Sequence, residues 1–393
     1  MKNAHHFNPY TSVSLPLSEI NTELLRCVIS IDSNLSPRKI NKPVVLYGAG
    51  NLGRMAKVFF DHLKLPFLYV VDIYADKQRL SSFWNDVKIM NPSEVDKKDK
   101  ENYLLVVCIV NAPLISLRDK LIKDGWNDVV FFYDVSQAYR DIYPLNNGWF
   151  LGDLNERDKN NVEKVFLSLS DDLSRAHYLQ FILWRKLRVE LLISGVTIDV
   201  DNRFFIKEIV SVLRENEVFV DCGAHNGSVT NKFSKIVNDK YKKIYAIEPD
   251  KTNAKEFESN TNSMPEVKLI RCALDNKNSQ GKFFSDFGFA SKLGLGGKDT
   301  VKTCTLDSLN IPATFVKMHL EGGELDALKG AILTIRKYRP IVAVTIYHND
   351  LGVSEIPLYL IENLSKYSFY IRLHSWGGTG AVFYAIPQER FIE

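Results

Sequence analysis

The segment VFVDCGAHNGSVTNKF, residues 218–233, joins an apolar run ending in a carboxylate to a glycine turn and the start of an amphipathic helix. Glycine lets backbone approach a ligand closely and a helix start offers free amides, so such a turn suits a nucleotide-like molecule. Gly223 supplies the tight turn, and Gly227 lets the helix begin against the strand. Asp221 separates the segment from a dinucleotide loop, because a carboxylate at the strand end repels a pyrophosphate and attracts an ammonium group. A second acid, Glu248, closes the next apolar run in IYAIEPD, where it can accept both hydroxyls of a ribose. Asp250 then reads as the N-cap of a helix. A nucleoside that carries an ammonium and no phosphates satisfies both acids, and S-adenosylmethionine is such a molecule.

Two further sets follow. In TFVKMHLEGGELDALKGA, residues 314–331, a strand ends near His319 and a turn through Glu321, Gly322 and Gly323 leads to a helix at Glu324. In a doubly wound sheet this strand end lies across the crevice from the first glycine turn, so Lys317, His319, Glu321 and Glu324 are candidates to line a reaction site. Glu324 also suits a helix N-terminus through the macrodipole, and Lys317 suits solvent. The run IVAVTIY ends at Tyr347, and His348 and Asp350 stand just past it on the same side. A histidine has an ordinary pKa of about 6.5 and can take a proton from an acceptor hydroxyl near neutral pH. His319, Glu321 and His348 are therefore the candidate catalytic residues, with His319 as the base.

A second glycine loop lies upstream in VVLYGAGNLGRMAKVFF. Gly48, Gly50 and Gly53 stand between a strand and a helix, and Asp72 ends the next strand. The pattern is that of a dinucleotide site, or of close helix-to-strand packing. No Tyr, Lys or Cys set for hydride chemistry follows it.

The elements that must position these residues are legible as runs. VVLY, FLYVVD, YLLVVCIV and VVFF, between residues 44 and 132, alternate with helix-length segments, which predicts βαβ units and a parallel sheet. Residues 1–40 read as an N-terminal arm, 41–150 as a Rossmann-like domain and 151–215 as a helical linker. Within the linker, a helix over 171–193 carries Leu191 and Leu192 on its apolar face and Arg185, Lys186 and Arg188 at polar positions. Residues 216–393 repeat the alternation with five strands. They close on YSFYIRLHS and AVFYAIP, whose five-residue connection permits only an antiparallel hairpin. The Gly-rich stretch 281–300, with Phe287 and Phe289, reads as an acceptor-site flap or a β-connection.

The chain has 393 residues, 45% hydrophobic and 25% charged, with a net charge of +3. That composition excludes disordered and fibrous classes, and the small charge excess argues against a nucleic-acid partner. Apolar runs such as YLLVVCIV fall short of the ~18 residues that cross a bilayer. The N-terminal residues lack a secretory pattern, so a cytoplasmic location is expected. The five cysteines are widely spaced, and buried free thiols are expected without a structural zinc.

VDCGAHNGSV, IEPD, TLDSL, KMHLEGGELDALKGA and IYHNDLGVSEIPLYL, in this order over about residues 150–390, resemble the FkbM family of S-adenosylmethionine-dependent methyltransferases. The resemblance implies a class I methyltransferase sheet with an antiparallel terminal hairpin, preceded by a Rossmann-like domain. It implies a cofactor set of Asp221, Gly223, Ala224, Asn226, Gly227, Glu248, Pro249 and Ala273, and methyl transfer to a hydroxyl, often of a saccharide or glycan precursor. The family pattern usually carries Asp where this chain has His319, so a role of that Asp as metal ligand or acid does not transfer unchanged, and the resemblance leaves His319 as base or as ligand of a divalent metal. The competing readings are a nicotinamide-dependent nucleotide-sugar oxidoreductase using the first glycine loop, and a non-catalytic nucleotide-sugar binding protein.

Overall fold

The computed structural model describes residues 22–190, 195–285, 291–294 and 296–392. Five short apolar runs form the first sheet: β1 (Val44–Tyr47), β2 (Val70–Val71), β3 (Ile89–Met90), β4 (Leu104–Val107) and β5 (Val129–Phe131). All are parallel, in the order β3-β2-β1-β4-β5. Helices on both faces bury β1 and β4 completely, which explains their unbroken apolar character.

The second sheet contains β6 (Val218–Cys222), β7 (Lys243–Ile247) and β8 (Val267–Ile270). A four-stranded insertion follows, made of β9 (Ala273–Leu274), β10 (Ser279–Phe284), β11 (Lys292–Leu293) and β12 (Asp299–Cys304). The chain then returns through β13 (Phe315–Met318), β14 (Ile341–Thr345), β15 (Tyr367–Leu373) and β16 (Ala381–Pro387). The main order is β15-β16-β14-β13-β6-β7-β8. β16 runs antiparallel to both of its neighbours, as the short hairpin connection requires. The expected α/β architecture is thus present, a doubly wound sheet with one antiparallel strand and a Rossmann-like sheet ahead of it.

Within the N-terminal arm, Thr22–Ser30 is a helix that buries Leu25, Val28 and Ile29 against the linker helices. Two expectations need correction. The 171–193 helix spans Asp172–Leu187 and stops where Arg188 turns left-handed at φ +53°; Leu191 and Leu192 lie outside the described residues. Cysteine chemistry differs as well. Parallel pairing of β9 with β12 brings Cys272 and Cys304 together as a disulfide, Cys27 is exposed, and only Cys108 and Cys222 are buried free thiols.

The linker helix Asp172–Leu187 joins the two sheets through Arg185, a residue expected at a polar position and in fact fully buried. Its guanidinium donates to the carbonyls of Asn147, Trp149, Tyr347 and Gly378 at 2.8–3.2 Å and lies 4.2 Å from the Trp149 ring centroid. Burial holds its pKa well below the usual arginine value. These carbonyls belong to the end of the first unit, the turn after β14 and the closing hairpin, so one cation gathers three segments. Arg185→Met should cost at least about 3 kcal/mol, since it strands several buried carbonyls together. Urea denaturation would show this as a lower midpoint, and a loss under about 1 kcal/mol would contradict the assigned role.

Candidate active site

A cavity of about 770 Å³ opens at the C-terminal ends of the second sheet's parallel strands. Open α/β sheets hold their ligands there. At one end it is lined by Gly223, Ala224, Glu248, Pro249 and Ala273, at the other by His319, Glu321 and Asn349.

The turn after β6 is built around two glycines. Gly223 has φ +75°, and a Cβ there would lie 2.0 Å from the His319 carbonyl oxygen. Gly227 has φ +84° at the start of the helix Ser228–Ile236, with Phe257 and Thr261 about 3 Å from where a Cβ would be. Gly227 and Asn226 shape the turn and do not line the cavity: the Asn226 carbonyl accepts from Asn260 Nδ2 at 2.9 Å. Glu248 closes the turn from the next strand. Its Oε2 accepts the His225 amide at 2.8 Å and its Oε1 the Asp250 amide at 2.9 Å. Burial raises its pKa against these two amides. The Asn253 side chain hydrogen-bonds the same carboxylate, whose roughly four acceptor sites leave room beyond these three donors for a ligand hydroxyl. Asp250 caps its helix as expected.

Asp221 is not where a ligand ammonium would meet it. It is fully buried behind the cavity, paired in register with Lys317 on β13. Lys317 Nζ donates to Asp221 Oδ1 at 2.8 Å, to the Gly223 carbonyl at 2.9 Å and to the Cys222 carbonyl at 3.3 Å, and Thr230 donates to Asp221 Oδ2. The ammonium that Asp221 attracts is the protein's own, and Lys317 is 1% exposed, not solvated.

At the other end the two histidines and the glutamate converge. His319 Nε2 stands 3.1 Å from Glu321 Oε1, and His348 Nε2 stands 3.3 Å from the same oxygen. The two imidazoles stack with centroids 5.1 Å apart. Glu321 holds a left-handed backbone at φ +50°, fixed by Asn146 Nδ2 donating to its carbonyl at 2.6 Å. Glu324 accepts the Leu320 and Gly322 amides, the helix-terminus task foreseen for it, and also contacts His348 Nδ1 at 2.7 Å. Burial disfavours charge on His348, yet Glu321 and Glu324 outweigh it and raise its pKa well above the ordinary value. His319 is pushed down to about 4, chiefly by burial and against the pull of Glu321. Tyr347 Oη reaches His319 Nε2 at 3.2 Å, yet neither Tyr347 nor His348 is among the residues lining the cavity, and Asp350 is exposed and outside it as well.

Sequence reasoning missed the wall opposite. Asn146 and Arg140 come from the segment after the first sheet, Arg203 from the linker and Lys292 from β11. Lys292 Nζ donates to Asn146 Oδ1 at 2.7 Å, and burial pushes its pKa down to about 8 against the pull of Glu321. No periodic pattern marks these positions; only tertiary folding assembles them. Phe287 and Phe289 lie outside the described residues.

The first glycine loop repeats the second in plan but not in consequence. Asp72 Oδ2 accepts the Ala49 amide and its Oδ1 the Tyr74 amide, both at 2.7 Å, and Trp84 Nε1 donates to the Ala49 carbonyl. A Cβ on Gly53 would sit 2.0 Å from the Gly48 carbonyl oxygen, which makes Gly53 a packing glycine, while Gly50 meets nothing within 4 Å. A hollow beside Leu52 and Val107 measures about 10 Å³. That is too small for a nucleotide, and together with the Gly53–Gly48 contact it favours close packing over a cofactor for this loop.

Removing one partner of the buried pair should be severe. Asp221→Asn leaves the Lys317 cation without a counter-charge and should cost about 3–5 kcal/mol, whereas the double change Asp221→Leu with Lys317→Met should recover much of that loss. Denaturation midpoints of the three proteins check this, and a stable Asp221→Asn protein would refute it.

A family model described as the methyltransferase FkbM domain matches residues 221–369. No curated protein matches the chain significantly. The crystal structure of an FkbM methyltransferase from Methylobacillus flagellatus KT aligns over 92% of this chain and 93% of its own, with a TM-score of 0.59 and 17% identity, so the whole two-sheet arrangement is shared. A SAM dependent methyltransferase from Aquifex aeolicus aligns over 47% of this chain and 89% of its own, with a TM-score of 0.30 and 15% identity. Aeropyrum pernix fibrillarin, with natively bound S-adenosyl-L-methionine, aligns over 44% and 69%, with a TM-score of 0.29 and 9% identity. The second sheet of this chain thus carries the methyltransferase FkbM domain, and the protein is an S-adenosylmethionine-dependent methyltransferase.

Proposed function

We propose that the protein transfers the methyl group of S-adenosylmethionine to a hydroxyl of a saccharide or glycan precursor. The observation that carries this reading is the single cavity that runs from the Gly223 turn and Glu248 to His319 and Glu321. Its volume lies within the ~300–1,000 Å³ usual for ligand sites. Donor and acceptor can be held in one enclosure, which is most of what the reaction needs, because the sulfonium is already reactive and alignment lowers the barrier.

In this reading Glu248 receives the ribose hydroxyls, and Ala224, Pro249 and Ala273 border the nucleoside. The acceptor enters on the side of Asn146, Arg203 and Lys292, whose hydrogen-bonding side chains suit a polyhydroxylated molecule better than an apolar one. The acceptor oxygen attacks the methyl carbon, the O–C bond forms as the C–S bond breaks, and the bonding pair neutralises the sulfonium. The hydroxyl proton passes to the cluster of His319, Glu321 and His348. The strained turn at Glu321 fits that duty, since such strain concentrates at sites where a group must be aimed.

Glu248→Ala should weaken S-adenosylhomocysteine binding by roughly tenfold or more, an effect of about 1.4 kcal/mol. His319→Ala should keep that affinity and lose turnover by roughly a hundredfold, the usual scale for loss of proton transfer. Calorimetry reads the first. Transfer of labelled methyl to a saccharide panel reads the second, and label bound as a base-stable ether marks the hydroxyl product. Unchanged S-adenosylhomocysteine affinity in Glu248→Ala, or label carried only by nitrogen or carboxyl groups, would overturn the respective part.

A further inference from the structure

His319 at the end of β13, Glu321 in the turn after it and His348 past β14 each bring one ligand atom to a common point, all within 4.8 Å of one another. Glu321 Oε1 is 3.1 Å from His319 Nε2 and 3.3 Å from His348 Nε2. Ligands about 2.1 Å from a shared ion, in tetrahedral or adjacent octahedral positions, stand roughly 3.0–3.4 Å apart. Both spacings to Glu321 therefore match those of a coordination sphere, and the three ligand atoms together lie within 4.8 Å.

The surroundings of His348 give a second, independent indication. Its Nδ1 faces Glu324 Oε1 at 2.7 Å, and that carboxylate is itself anchored by the Leu320 amide and the Thr345 hydroxyl. A carboxylate behind an imidazole fixes the Nδ1–H tautomer and leaves the Nε2 lone pair forward, the arrangement found behind metal-binding histidines. That Nε2 is buried, has no hydrogen-bond partner and is aimed at Glu321, while His348 as a whole is 2% exposed. When that tautomer is neutral at Nε2, its lone pair and Glu321 Oε1 face each other at 3.3 Å, a place for a cation, whether a metal ion or a proton.

We propose that His319, Glu321 and His348 form a divalent-cation site whose remaining positions face the cavity. Two imidazoles and one carboxylate suit Mn²⁺, Fe²⁺, Co²⁺, Ni²⁺ or Zn²⁺ better than Mg²⁺, which prefers oxygen ligands. An ion there would sit where an acceptor oxygen could join its sphere; that use rests on the methyl-transfer reading above, whereas the binding does not. The competing occupant is a proton, which would make His348 an imidazolium held between Glu321 and Glu324.

The test uses the untagged full chain, stripped with chelator and titrated with Co²⁺ alone, then with Zn²⁺ and Mg²⁺ by calorimetry. We expect one equivalent of Co²⁺ with visible d–d absorption, and Mg²⁺ binding at least a hundredfold weaker. Glu321→Ala and His348→Ala should each lose Co²⁺ affinity by a hundredfold or more, and Glu324→Gln, which acts through His348, by roughly 10–100-fold. S-adenosylhomocysteine titrated into the same samples reports separately on the donor site and should bind His348→Ala as it binds the parent. Absence of Co²⁺ absorption in the parent at millimolar metal, or a stoichiometry unchanged in the double variant His319→Ala with His348→Ala, would overturn the site.

Discussion

The ammonium of Lys317 holds the active-site end of the second sheet in shape. It is buried between two parallel strands and has one carboxylate and two carbonyls around it, enough acceptors for all three of its protons. A charge taken out of water is tolerated only under such complete satisfaction. One of its partners is the carbonyl of Gly223, so the cation fixes the path of the glycine turn from below, while the His319 carbonyl limits it from above. The donor turn and the residues around His319 therefore move as one body.

A second buried cation does for the whole chain what Lys317 does for the turn. Arg185 donates to carbonyl oxygens and lies against aromatic faces, an arrangement that suits a delocalised guanidinium better than an ammonium. It grips the Tyr347 carbonyl, which Trp149 Nε1 also holds at 2.8 Å. The backbone next to His348 is thereby anchored from the linker. Asn146 adds a further tie by holding the carbonyl of Glu321 and the ammonium of Lys292 at once. At the first sheet's glycine loop Gly53 packs against the Gly48 carbonyl, and the segment that leaves this sheet builds one wall of the cavity in the second.

Much of this could be read from residue patterns. β-branched runs buried on both faces announced both parallel sheets, and a five-residue connection announced the antiparallel edge. The convergence of His319, Glu321 and His348 followed from their places at neighbouring strand ends. What escaped was whatever depends on partners remote in sequence. Asp221 looked like a ligand contact because nothing local shows that Lys317, on another strand, lies in register with it. Arg185 and Lys186 looked like a solvated face because helical periodicity is silent on whether both faces of a helix are covered. The two glycine loops are nearly alike as strings. They differ in what occupies the space beside them, where Trp84 closes one and a cavity opens at the other. The β9–β12 insertion and the Cys272–Cys304 pairing were hidden for the same reason.

The order of strands in the second sheet bears on how such a protein can be cut and recombined. The matched family segment ends at residue 369, inside β15, while β16 lies beyond it and is wedged between β14 and β15. An exchange of genetic material at that border would remove the strand that joins the last two, and leave two open edges where the parent has one continuous ladder. The unit of inheritance for this architecture must then extend to the last strand. It must also reach back to the linker helix, whose Ser174 hydroxyl accepts the Ile371 amide. Similarity along the chain marks where chemistry is written, and hydrogen-bonded closure marks what can be transplanted.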